Sequence, residues 1–302
     1  LYVSATYFRS KRDGIITSMT GNLPLYWGLR NVAVYENHNA SLQQGVEAAF
    51  RFGGRTGDFG YSVGASFAFR KSKYLRYDES YTYAYQAVKG TALDAYRGYV
   101  YLGKFASAEE IASSPEQTFD EKLQPGDLKY ADLNNDGRID SNDQCVIGHT
   151  DPRFIYAVNL HLSYKWFDLT VVGTGRAGYQ VPFTNAWFWN GWGDNNYSKF
   201  VKKNFGGDYP RIAYNKVNNN FQQSAYWLRD GGFFKIQNVE LGFDAPILAG
   251  SKTGIKGLRI FLRGANLLTI SRIKDVDPES VDSGVSTYPL FRTFTAGINL
   301  TF

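Results

Sequence analysis

The stretch 154–166 reads FIYAVNLHLSYKW, and its alternation decides the fold class. Every second position is apolar, namely Val158, Leu160, Leu162, Tyr164 and Trp166. The positions between them are polar, namely Asn159, His161, Ser163 and Lys165. Successive side chains of an extended strand point to opposite sides, so this period of two predicts a β-strand with one apolar and one polar face.

The same alternation recurs along the 302 residues and predicts about eight strands. The further copies lie at 1–9, 46–52, 59–70, 168–177, 233–244, 258–267 and 294–302. Each copy is close to the ~9–11 residues that a tilted strand needs to cross the hydrocarbon of a membrane. The pattern therefore suits a membrane β-barrel, whose apolar residues occupy alternate positions.

The composition excludes several other classes of protein. Hydrophobic residues make up 43% of the chain, which is enough to bury a core and excludes disorder. No run approaches the ~18 apolar residues of a membrane-spanning helix. The single cysteine, Cys145, forbids an intrachain disulfide and excludes a zinc site built from several cysteines. The net charge of +5 comes without a block of basic residues, so no nucleic-acid partner is expected.

The predicted connections alternate between long and short. The long ones cover about 10–45, 71–153, 178–232 and 268–293. Membrane barrels have short periplasmic turns and long extracellular loops, whereas a soluble β-sandwich has no reason to place every long loop at one end. Aromatic residues gather beside the short turns, as expected for an interfacial girdle. The sequence thus predicts an all-β fold, an antiparallel transmembrane β-barrel segment with long extracellular loops.

The strand at 154–166 also predicts which side chains meet lipid. We expect the apolar set Val158, Leu160 and Leu162 to face lipid. The polar set Asn159, His161 and Ser163 is then expected to face the lumen. A slip of one residue would exchange the two faces, so this expectation fixes the register.

Four stretches carry a family resemblance. They are PGDLKYADLNNDGRID at 125–140 with VIGHTDPRF at 146–154, WLRDGGFFKIQNVELG at 227–242, LRIFLRGANLL at 258–268, and the closing strand that ends at Phe302. In order and spacing they resemble the SusC/RagA family of TonB-dependent outer-membrane transporters. The resemblance covers most of the chain from about residue 45 to the end.

The resemblance implies that residues 1–302 are the C-terminal part of a TonB-dependent receptor β-barrel. Family members are barrels of the 22-strand class, and the plug domain and TonB box of such a protein are absent from this sequence. The family imports oligosaccharides or peptides across the bacterial outer membrane, with a SusD-like surface lipoprotein as a lid and energy delivered through TonB. We therefore expect non-enzymatic, TonB-dependent import of nutrient oligomers by a multi-pass barrel embedded in outer-membrane lipid.

Two alternatives to import come from other functional classes. A passive or structural outer-membrane barrel, such as an adhesin, would share the strands but lack energy coupling. An outer-membrane enzyme would need a nucleophile and a base at suitable spacing, and the sequence offers no such set. Sequence upstream of residue 1 would discriminate between these functions, because a plug and a TonB box indicate import.

Segment 132–143 has the spacing of a calcium loop. Calcium takes six to eight oxygens, and a twelve-residue loop supplies them from positions 1, 3, 5, 7, 9 and 12, with Gly at position 6. Those positions hold Asp132, Asn134, Asp136, the Arg138 carbonyl, Asp140 and Asp143, with Gly137 at the turn. The pattern predicts a structural Ca²⁺ site that stiffens an extracellular loop. A polar Asn/Asp/Gly turn that needs no ion is the alternative.

Three tryptophans, Trp187, Trp189 and Trp192, lie within the predicted loop 178–232. Exposed aromatic faces bind sugar rings or apolar peptide side chains, and they also anchor protein partners. Aromatic burial could equally hold so long a loop together. Substrate binding, partner binding and loop packing therefore stay open for this cluster.

Two further patterns carry little functional information. The glycine spacing at 173–178 matches a dinucleotide fingerprint, but no helix is expected after it to receive a pyrophosphate. The basic residues Lys235, Arg259 and Arg263 hint weakly at a basic lumen that would suit an acidic glycan.

Overall fold

The computed structural model describes residues 1–19, 34–119, 122–185, 188–189, 198–204, 206–213, 217–246, 255–281 and 290–302. In chain order its strands are β1 (Tyr2–Ser18), β2 (Tyr35–Thr56), β3 (Phe59–Arg76), β4 (Ala95–Gly98), β5 (Tyr101–Lys104), β6 (Glu116–Gln117), β7 (Leu128–Tyr130), β8 (Arg138–Ile139), β9 (Cys145–His149), β10 (Phe154–Tyr164), β11 (Phe167–Ala177), β12 (Gln180–Pro182), β13 (Leu228–Asp230), β14 (Phe233–Asp244), β15 (Gly257–Ser271) and β16 (Thr293–Thr301).

Within the described residues, eight of these strands form one antiparallel sheet. The order of neighbours is β1-β2-β3-β10-β11-β14-β15-β16, so consecutive long strands lie side by side. The sequence prediction of about eight antiparallel strands is confirmed. Because direction alternates across the sheet, the strand ends joined by 57–58, 165–166 and 245–256 lie at one end of the sheet, and the strand ends joined by the long connections lie at the other.

The first three strands are longer than the alternation indicated. The strand expected at 46–52 runs from Tyr35 to Thr56, and its partners β1 and β3 reach Ser18 and Arg76. These extensions form backbone ladders, with pairs from Ser18↔Tyr35 to Ala40↔Arg76. Their side chains are largely polar on both faces, and a ladder needs only backbone groups, so hydrophobic periodicity does not reveal them. Much of the range 10–45 is therefore strand rather than loop.

The two predicted faces of β10 are opposite faces in the structure. On the polar face, Asn159 lies beside Gly64. His161 forms a hydrogen bond with Thr170, with 3.0 Å between Nδ1 and Oγ1. Val158 lies beside Gly173 on the other side, where its side chain would meet any Cβ at that glycine. The apolar and polar sets thus separate as the alternation predicts.

The long connections fold into a second layer, called here the cap, made of the described residues of 77–153, 178–232 and 272–281. Small two-stranded pairs, β4–β9, β5–β7, β6–β8 and β12–β13, shape it. Its core members are almost completely buried, among them Leu128, Tyr130, Ile139, Phe188, Val201 and Trp227. Since these residues come from different connections, the cap is one packed unit.

The cap also contains two short helices, α1 (Ala108–Ser113) and α2 (Lys199–Asn204). The Ser107 hydroxyl caps α1 by accepting a hydrogen bond from the backbone amide of Glu110, which satisfies one amide of the first turn. No helix among the residues that the structure describes is long and apolar enough to cross a membrane.

Candidate functional site

One face of the eight-stranded sheet exposes large apolar side chains across its whole width. Its members include Val3, Val46, Phe50, Phe52, Val63, Phe67, Val158, Leu241, Ile260, Leu262, Ile298 and Leu300. A water-soluble monomer rarely leaves so continuous an apolar surface uncovered. This face therefore requires an apolar environment.

Aromatic rings gather on that face at the end of the sheet with the short turns. Phe52 and Phe59 contact Tyr61 at centroid distances of 5.6 and 6.2 Å. Across the next turns, Phe167 packs on Phe243 at 4.8 Å. Tyr164 and Trp166 are half exposed beside them. A row of this kind is typical of the interfacial girdle of a membrane barrel.

The opposite face carries a network of ion pairs near the same end. Arg259 binds Asp168 through two hydrogen bonds of 2.6 and 2.9 Å, and it also reaches Asp244 at 3.0 Å and Glu240 at 3.1 Å. Arg263 binds Glu240 at 2.6 Å. Two guanidinium groups thus share three carboxylates, and the network is not basic. The weak hint of a basic lumen finds no support at these positions.

The carboxylates of segment 132–143 bind backbone amides of the same segment. Asp132 accepts from Asn135 at 2.7 Å and from Gly137 at 2.9 Å, and Asp136 accepts from Arg138 at 2.9 Å. Asn134 accepts from the amide of Asp136 at 3.0 Å. Gly137 has φ 81°, a conformation that favours glycine and that this turn requires.

Asp143 closes the same segment from a fully buried position. Its two oxygens accept from the amides of Leu133 at 2.8 Å and Asp140 at 2.9 Å, while Asp140 accepts from Asn142 at 2.7 Å. Among the described residues, no group of three or more His, Cys, Asp or Glu side chains is arranged to hold a metal ion. The polar turn explains these contacts, and calcium at Asp132, Asn134, Asp136, Arg138, Asp140 and Asp143 stays a prediction.

Only one of the three candidate tryptophans lies in the described part of the chain. Trp189 is 9% exposed and packs in the cap core, 5.7 Å from Phe221 and 5.9 Å from Trp227 between ring centroids. For Trp189 this favours loop packing over a binding surface. Trp187 and Trp192 lie outside the described residues, so their predicted roles stay predictions.

A buried polar network joins two long connections of the cap, and the sequence pattern did not indicate it. Asn219 accepts from Gln117 at 2.6 Å and donates to the Leu128 carbonyl at 2.8 Å. Asn220 accepts from the amide of Leu128 at 2.8 Å and donates to Asp127 at 2.9 Å. The run of three asparagines at 218–220 was its only signal, and such a run is equally typical of an exposed loop.

Two neighbouring groups complete this network. Arg211 forms two hydrogen bonds of 2.9 and 3.0 Å with the fully buried Asp127. The Tyr130 hydroxyl donates to the Asn219 carbonyl at 2.6 Å. Burial raises the pKa of Tyr130 well above its ordinary value, so the hydroxyl keeps its proton and remains a donor.

Cys145, beside the acidic segment, is half buried. Burial raises the pKa of its thiol, which lowers the fraction of reactive thiolate. This agrees with a small packing residue rather than a nucleophile.

No family model matches this sequence. The chain is 29% identical over 237 residues to TonB-dependent receptor P26 of Formosa agariphila, covering 71% of this chain and 23% of that protein. It is 26% identical over 203 residues to TonB-dependent receptor SusC of Bacteroides thetaiotaomicron, covering 62% of this chain and 19% of that one. The chain thus spans about a quarter or less of the length of these relatives.

Among solved structures, the fold resembles that of the RagAB peptide importer in its open-open state. The TM-score is 0.69 at 17% identity, and the match covers 99% of this chain and 33% of that one. The closed-closed state of the same importer gives a TM-score of 0.68, also at 17% identity and over 99% and 33% of the two chains. The eight-stranded sheet and the cap therefore reproduce a part of a known fold.

Proposed function

Because the chain belongs to the SusC/RagA-like family of TonB-dependent outer-membrane receptors, we propose that it forms the C-terminal wall of a nutrient importer. Its cargo would be an oligosaccharide or a peptide. The observation that carries the proposal is the sheet itself, which has one continuous apolar face and one ion-paired polar face. No enzymatic step is part of this function.

The two faces fix how the wall would sit in the outer membrane. The opposite orientation would turn Arg259 and Arg263 towards lipid, at a cost per arginine that rises from ~0–1 kcal/mol near an interface to about 2–4 kcal/mol at the midplane, and it would leave the apolar side chains in water. The polar face must therefore line the lumen, and the apolar face must contact lipid. The long connections then lie on the extracellular side and the short turns on the periplasmic side, as in other membrane barrels.

The partners of the importer follow from the same orientation. The cap would face the cell exterior, where a SusD-like lipoprotein could close over it. Energy coupling would come through TonB, acting on a plug and a TonB box that precede residue 1 in the complete protein. Support for these partners comes from the relatives, one of which is named SusC and another of which is described as a RagAB importer.

Uptake measured with and without an energised inner membrane tests the proposal. Cells that produce the complete protein should accumulate a fluorescent oligosaccharide or peptide, and a protonophore or deletion of TonB should abolish that accumulation. Uptake that survives both treatments would indicate a passive barrel. Absence of uptake together with cell adhesion would indicate a structural role.

A further inference from the structure

Residues 273–281, called here the strap, cross the polar face just beyond β15. Both ends of the strap are fixed in the cap core, since Ile273 and Val281 are 7% and 2% exposed. The Asn185 side chain also donates to the Val281 carbonyl at 2.9 Å, and Lys203 binds Asp275 at 2.7 Å. The strap, itself part of the cap, is therefore held at its two ends by the rest of the cap.

The middle of the strap is held by the eight-stranded sheet. Lys235 of β14 is 1% exposed, and its ammonium contacts Asp277 at 3.1 and 3.2 Å and Glu279 at 2.6 Å. A buried ammonium that lost its carboxylates would be left with a large desolvation cost. This contact therefore keeps Glu279 in place on the wall.

Two cavities meet at the strap. The lower one is a groove of 480 Å³ on the polar face, lined by small side chains such as Ser66, Ala157 and Thr174. The upper one has a volume of 450 Å³ and lies in the cap, beside Thr150 and Gln180. Among the residues that the structure describes, Arg176 and Glu279 are the two that line both cavities, so the cavities share this pair.

The contact between these two shared residues is loose. Arg176 lies 3.8 Å from Glu279, beyond hydrogen-bonding distance, and its side chain is 46% exposed. Ion pairs with such exposure contribute at most about 1 kcal/mol. Glu279 is fixed by Lys235, whereas Arg176 is free to rotate away at small cost.

We propose that the Arg176 side chain is a gate between the two cavities. The gate is closed when Arg176 contacts Glu279, which Lys235 holds in place. When Arg176 leaves Glu279, an extended polar oligomer passes from the upper cavity to the groove. This role in regulating passage rests on the proposed import function. The Phe233 ring, 5.9 Å from the guanidinium, adds a second weak contact to the closed position.

Thiol labelling of the complete protein in intact cells tests the gate without requiring transport. In a Cys145→Ser background, Ser66→Cys reports on the groove and Thr150→Cys on the upper cavity. A bulky water-soluble maleimide is added from outside to cells treated with a protonophore. Arg176→Gln should raise the labelling rate at Ser66→Cys about fivefold, as expected for loss of an exposed ion pair. The rate at Thr150→Cys should not change.

Arg70→Gln is the matched control. Arg70 is 49% exposed, forms an exposed ion pair with Asp151 at 3.4 Å and lines neither cavity. The gate is refuted if Arg176→Gln leaves the rate at Ser66→Cys unchanged, if Arg70→Gln raises it equally, or if Thr150→Cys is not labelled from outside. If Arg176→Gln raises the labelling rate as expected but the wild-type protein shows no TonB-dependent uptake, the import function is refuted and the gate is not.

Discussion

At the scale of single residues, the cap depends on polar groups that have no access to water. Asn219 and Asn220 are fully buried, and each bonds backbone or side-chain groups from more than 90 residues earlier in the chain. Such contacts replace water only when every partner is present. Because these partners are remote in sequence, the asparagines could not be identified as structural from the sequence.

Asn220→Ala should loosen the cap. It removes the acceptor of the Leu128 amide and a donor to Asp127, and each unsatisfied buried group costs about 1–3 kcal/mol. Limited proteolysis of the complete protein in membranes should therefore cut the cap faster, while the barrel stays intact. Asn218→Ala, next to it but exposed, is the control and should behave like the wild type. Equal resistance of Asn220→Ala would contradict the role of the network.

The acidic segment permits a test that separates calcium from the ion-free turn. Asp143→Ala should expose the segment to protease with or without calcium, because it removes a fully buried carboxylate that binds the amides of Leu133 and Asp140. Asp136 is exposed, so water can replace its hydrogen bond to the Arg138 amide, and Asp136→Ala should act mainly by abolishing the protection that calcium gives. Digestion compared in millimolar calcium and in chelator provides the measurement. If the wild-type segment is digested at the same rate in calcium and in chelator, the predicted calcium site is wrong.

At the scale of elements, the sequence predicts the strands where they alternate and misses them where they do not. The strand predicted at 154–166 agrees with β10 because apolar and polar residues alternate strictly along it. The outer parts of β2 and β3 were missed, since their ladders carry polar side chains on both sides. The short strands of the cap, such as β6 and β8, were missed too, because two paired residues leave no period to detect.

The faces of β10 can be distinguished by labelling. In the complete protein without Cys145, Val158→Cys should react with a lipid-soluble maleimide and resist a water-soluble one. His161→Cys should show the reverse, because its side chain shares the polar face with Thr170. The ratio of the two labels at each position gives the answer. Lipid-side labelling at His161→Cys would overturn the assigned orientation of the sheet.

At the scale of the molecule, the sheet has two open edges. β1 and β16 each pair with one neighbour among the described strands, so each carries a row of unpaired backbone groups. Hydrocarbon does not tolerate such groups. We therefore expect both edges to pair with strands of the rest of the protein. The eight-stranded sheet could be predicted from the sequence pattern. The packing of the cap could not, because it depends on contacts between connections that are far apart in the sequence.

Residues 1–302 expressed alone should consequently aggregate or refold poorly in detergent. Edge strands without partners favour pairing between copies, and the broad apolar face adds to this tendency. Size-exclusion chromatography and heat-modifiability on a gel measure the outcome, with the complete protein as the positive control. A monodisperse, heat-modifiable product from this segment would show that its edges close on each other.

The length of β2 has a mechanical consequence. At about 3.3 Å per residue, its 22 residues extend about 70 Å, and an inclination of ~45° leaves a height of about 50 Å, against an apolar band of ~25 Å. The surplus stands outside the bilayer as a hydrogen-bonded ribbon shared with β1 and β3. A ribbon of three strands resists bending far better than a loop does. Force applied to the cap on this side is therefore transmitted into the wall instead of being absorbed at the membrane surface.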